Sequence, residues 1–71
     1  MELSVNMYRW FRETFSKLPE GTYLLDSHGV RRLHGARHFL TASPFPRGMK
    51  LVVIKRNGVV EIERWGLRIE L

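Results

Sequence analysis

"MKLVVIKRNGVVEIERW", Met49 to Trp65, is the stretch whose reading decides the fold. Two runs rich in β-branched residues flank Asn57-Gly58, a pair suited to a type I′ turn because both central residues must take positive φ. A two-residue turn at that point pairs Lys55 with Val60, Val53 with Ile62 and Leu51 with Arg64. Alternation then puts Leu51, Val53, Val60 and Ile62 on one face, the core side of a β-hairpin. Val52, Ile54 and Val59 fall on the opposite face beside Glu61 and Glu63. That second face is too apolar to stand wholly in water, which suggests a covering partner.

Beyond Glu63 the alternation changes phase, so that Trp65, Leu67, Ile69 and Leu71 interleave with Arg68 and Glu70. A bulge or turn at Trp65-Gly66 absorbs the slip and leaves "LRIEL" as a separate last strand. Upstream, "SPFPRG" (43–48) carries two prolines within three residues and reads as a loop, because proline supplies no backbone N–H.

Nearer the start, residues 4–18 read as an amphipathic helix. Tyr8, Phe11, Phe15 and Leu18 share a face with Val5 and Met7 beside them, and Arg9, Arg12, Glu13, Ser16 and Lys17 lie opposite. Ser4 or Asn6 is placed to cap it, and Pro19 and Gly21 end it. Acidic neighbours argue against laying this helix on a membrane surface. "TYLLD" (22–26) reads as a strand, the Asp26–Gly29 stretch as a turn closed by the Asp26 side chain, and "VRRLH" as the returning strand. Residues 36–42 fit either helix or strand, and β-friendly content favours strand. The whole is expected to be one domain, 1–71, of α+β class: an N-terminal helix packed on a small antiparallel sheet of three to five strands ending in a β-hairpin.

Composition narrows the function classes. With 71 residues the chain has one small core, and with no cysteine it has neither disulfides nor thiolate metal ligands. Dimerisation, as a homodimer, is one way for so small a chain to gain burial. No secretory pattern and no run of about 20 apolar residues is present, so the expected setting is cytoplasmic with no membrane association. The chain lacks a P-loop, a GxGxxG and a GxSxG elbow. His34 and His38 stand four apart without an evident third ligand, so neither a metal nor another cofactor is expected.

The net charge of +5 is unevenly spread. From Ser27 to Val60 there is no acidic residue, while Arg31, Arg32, Arg37, Arg47, Lys50, Lys55 and Arg56 all fall there. Nine of the twelve basic residues are arginines, whose planar guanidiniums favour bidentate contacts with anions such as phosphate. Cations that neutralise phosphates release counterions and give sequence-independent affinity, and interleaved aromatics offer stacking platforms. Phe45, between two prolines, is the expected exposed aromatic, while Phe39 and Trp65 lean towards the core.

The leading expectation is therefore a small nucleic-acid-binding protein, of DNA or RNA, using those seven cations and Phe45. The alternative is a protein-interaction module, a regulator or inhibitor, docking its basic face on an acidic partner protein. Third comes a small endoribonuclease with His34 or His38 as acid–base group and Arg31, Arg37 or Arg47 on the phosphate. No catalytic residue is assigned.

Overall fold

The computed structural model describes residues 3–35, 38–40 and 43–71, with the backbone alone for 38–40. Helix α1 (Val5–Ser16) is followed by strands β1 (Gly21–Asp26), β2 (Gly29–Arg32), β3 (His38–Leu40), β4 (Leu51–Arg56), β5 (Val59–Ile62) and β6 (Leu67–Glu70). All neighbours are antiparallel, in the spatial order β3-β2-β1-β4-β5-β6. The α+β arrangement is the one expected. Five strands have four residues or more, and the three-residue β3 adds a short sixth at one edge.

The sheet consists of two three-stranded meanders, β1-β2-β3 and β4-β5-β6, joined along β1 and β4. In the C-terminal meander Val53 pairs with Ile62 and Lys55 with Val60, the register set by the two-residue turn. Asn57 and Gly58 have φ of 54° and 73°, the left-handed values a type I′ turn requires. A 3-10 turn, Glu63–Trp65, ends on Gly66 at φ 60° and carries the phase slip into β6. Ile62 and Leu67 are consequently paired across β5 and β6, and both face the core.

In the N-terminal meander the turn from β1 to β2 is closed by Asp26, whose carboxylate accepts the His28 backbone N–H at 2.8 Å. A register shift between Val30 and Arg31 marks the pairing of β2 with β3. Residues 36–42 fitted two readings in sequence, and 38–40 form strand β3.

Helix α1 covers one face of the sheet. Ser4 caps it, its Oγ accepting the Met7 N–H at 3.2 Å. Phe11 and Phe15 are fully buried against Tyr23, Leu25, Val30, Leu51, Val53, Val60, Ile62 and Ile69. Each such side chain contributes about 1.5–3 kcal/mol by leaving water. The buried arc of the helix is rotated from the one the spacing predicts. Val5 is 74% exposed and Tyr8 36%, while Trp10 packs inward.

The inward-turned Trp10 meets the loop between β3 and β4. Phe45 is 5% exposed and inserts beside the helix, with ring centroids 5.9 Å from Trp10, 5.8 Å from Phe11 and 6.1 Å from Trp65. The expectation that Phe45 is an exposed aromatic is thus corrected. The flanking prolines keep the loop out of any strand, and the ring between them closes the end of the core.

Candidate nucleic-acid interface

The acid-free segment does not fold into one basic patch. Its described cations go to three places: the core side of the sheet, the outer face, and the loop before β4.

Lys55 lies on the core side, half-buried, where its Nζ donates to the carbonyls of Phe15 and Leu18, both at 2.6 Å. The Phe15 carbonyl lies in the last turn of α1 and also accepts the Leu18 N–H at 3.3 Å, while Leu18 follows the helix, and the helix dipole favours a cation at this end. Two of the three ammonium donors are used there. The structure thus gives Lys55, expected on phosphate, the task of tethering the helix to the sheet. Arg32 also points to the core side, its guanidinium carbon 5.4 Å from the centroid of the Tyr23 ring. The Tyr23 hydroxyl donates to the carbonyl of Pro19, and burial pushes its pKa up while the Arg32 charge pulls it back. Both residues serve the packing of the segment that links helix and sheet.

Arg31 and Arg56 belong to the outer face, the one opposite the helix. Arg31 is half-buried at register with His38 of β3, and Arg56 is exposed at the start of the hairpin turn. Arg37 lies outside the described residues, as do the side chains of His38 and Phe39. His34 is exposed in the bend after β2.

Arg47 and Lys50 are exposed in the loop before β4, which forms one wall of a cleft. The cleft, of about 360 Å³, opens between this loop and the 3-10 turn. Arg47 and Arg64 line it, with Met49, Leu51 and Trp65 as its apolar wall. No acidic residue is among its lining. Arg64 Nη1 donates to the Lys50 carbonyl at 3.4 Å, which ties the two sides together. The indole of Trp65 is half-buried and backed by Phe45, the two rings tilted by 42°.

Sequence reasoning named Arg47 and Lys50 as phosphate contacts and read Trp65 as leaning towards the core. Arg64 was missed, because it belongs to a C-terminal third whose charges nearly balance. The phase slip at Gly66 was the available signal. A turn at that point folds Arg64 and Trp65 back towards the start of β4 instead of extending the hairpin.

Among the described residues no cluster of metal-ligating side chains occurs, and no helix is long and apolar enough to cross a membrane. Neither a model of a known protein family, nor a curated protein, nor a solved structure matches the chain. The functional reading therefore stands on the geometry of its own residues.

Proposed function

We propose that the protein binds nucleic acid, with the cleft beside Trp65 as the place where an unpaired nucleotide docks. One observation carries this reading: two guanidiniums and an indole face a single cleft that no carboxylate lines. Guanidiniums suit phosphate oxygens in a bidentate fashion, and an indole face stacks on any base. The cleft volume falls in the range of pockets that take small ligands. Lys50, exposed in the same loop, and Arg56, exposed at the hairpin turn, are further cations on which a longer strand can draw.

The division of labour differs from a uniform basic surface. Arg47, Lys50 and Arg64 act on phosphate, Trp65 on the base, and Phe45 holds Trp65 from behind. Lys55 and Arg32 hold the scaffold.

Fluorescence anisotropy with labelled single- and double-stranded DNA and RNA, titrated at low and at moderate salt, tests the proposal. Binding is expected to weaken steeply as salt rises. Arg47→Ala and Arg64→Ala should each flatten the log–log salt slope by about one unit. Trp65→Ala should cost about 1–3 kcal/mol of affinity for single strands and much less for duplex. Absence of binding at low salt overturns the reading.

A further inference from the structure

Among the described residues β6 is an edge strand, with β5 on one side and no strand on the other. Which of its backbone groups point outward follows from its pairing. The Leu71 N–H donates to the Gly58 carbonyl at 2.9 Å, and Ile69 and Leu67, at alternate positions before it, turn the same way, towards β5. Alternation in an antiparallel ladder then directs the N–H and C=O groups of Arg68 and Glu70 away from the sheet. Outward groups of that kind are a template for another strand. The opposite edge offers less, because β3 has three residues and pairs through a register shift.

We propose that β6 of a second copy of this chain pairs antiparallel with β6 along this edge, about a two-fold axis that passes through Ile69 perpendicular to the sheet. Under that axis Arg68 of each copy stands opposite Glu70 of the other, and each such pair exchanges both of its N–H···O bonds. Ile69 then meets Ile69, and Leu71 meets Leu67. The contact is isologous and joins the two sheets into one.

Charge selects both the occupant and the register. Arg68 and Glu70 are exposed on the same face of β6, so the axis at Ile69 sets opposite charges directly across the new seam. Moving the axis to Arg68 or to Glu70 sets like charges opposite each other instead. An edge guarded against pairing carries like charges or a proline, whereas this one carries one charge of each sign. Within its own copy Arg68 already faces Glu61, Nε to Oε1 at 3.7 Å. A guanidinium has further N–H donors, so Arg68 can stand between that carboxylate and Glu70 of the other copy, and the charges along the row alternate. The core side agrees. Leu71 lines a groove of about 550 Å³ with Val5 and Tyr8, the helix residues left exposed, while Arg9, Arg12 and Glu13 form its polar part. Leu67, half-buried in one copy, arrives opposite Leu71 of the other and extends the apolar part of that groove.

The inference is independent of the nucleic-acid reading, and no ligand enters its test. Sedimentation velocity carried up to millimolar protein should show a species of twice 8.4 kDa that dissociates on dilution. Over the same series, exchange of the Arg68 and Glu70 amides should slow as concentration rises, while the Ile69 amide, turned to β5, is protected throughout. Arg68→Glu and Glu70→Arg should each weaken self-association about tenfold. An equimolar mixture of the two variants should associate again, because in that pair both seam contacts join opposite charges. Glu70→Pro removes an N–H that has no bonding partner in β5, so this variant should keep its folded circular dichroism spectrum and sediment as monomer. Should a variant fail to fold, amide exchange of the wild-type chain decides alone. A wild-type chain that stays at 8.4 kDa throughout overturns the proposal. So does a dimer whose Arg68 and Glu70 amides exchange equally fast at every concentration, or one that a folded Glu70→Pro chain still forms.

Discussion

The two meanders of the sheet share one architecture and differ in what holds them. In the C-terminal meander, β4-β5-β6, buried positions alternate with more exposed ones along the strands, and the turn residues carry the backbone angles the turn needs. Its order follows from its own local chemistry. The N-terminal meander, β1-β2-β3, pairs through a register shift, and its outer strand has three residues. Its stability is borrowed from the helix on its core face and from the loop that follows it. The lesson is that equal topology does not mean equal local specification, and the less specified half is the more basic one.

Three substitutions sharpen or break this contrast. The largest effect is expected from Phe45→Ala, which empties the centre of the Trp10–Phe11–Trp65 cluster and should cost about 3–5 kcal/mol in urea denaturation. Ser43 ties the same loop to the first turn through its Oγ, which donates to the Asp26 carbonyl at 2.6 Å. Amide exchange in β2 should therefore accelerate more than in β5, and equal acceleration would break the contrast. A near-neutral Phe45→Ala would place that ring back on the surface.

Next, Lys55→Met removes the charge that satisfies the Phe15 and Leu18 carbonyls and should cost about 2 kcal/mol. Thermal unfolding measures it, and an unchanged midpoint would show that the tether contributes nothing net. The smallest effect belongs to Gly58→Ala, where a side chain must occupy a φ of 73° at a cost of about 1–2 kcal/mol. Because no side chain or backbone atom lies within 4 Å of the new Cβ, backbone strain is the whole effect. It should speed exchange in β4 and β5 and leave β1 and β2 unchanged.

What was legible in the sequence divides along the same line. The hairpin register, the slip at Gly66, the Asp26 turn and the Ser4 cap are local matters, decided by residues within a few positions of each other. Phe45 and Lys55 were misread because their partners lie far along the chain. A ring between two prolines has no local reason to be buried, and only the Trp10 face of the helix supplies one. Lysine in a strand beside arginine reads as surface charge until a helix end arrives above it. The site suffered similarly: Arg47 and Lys50 stood out in an acid-free run, whereas Arg64 entered through a backbone reversal that the charge count could not register.

The seam between β1 and β4 has a kinetic consequence. Tyr23 and Val53 are paired across it although 30 residues separate them (53 minus 23), while the turn at Asn57-Gly58 joins strands that are neighbours in the chain. A tight hairpin closes in about 1–10 μs. Closing a 30-residue loop carries an entropic cost of about 3 kcal/mol beyond the constant part, incurred before the seam's contacts form. The join sets the expected order of folding, with the C-terminal meander early, the seam as the barrier and the outer strands of the N-terminal half last, and φ-values near zero in β5 would overturn it. During that interval the flank of β4 that receives β1 is an unpaired strand edge, open to pairing with another chain.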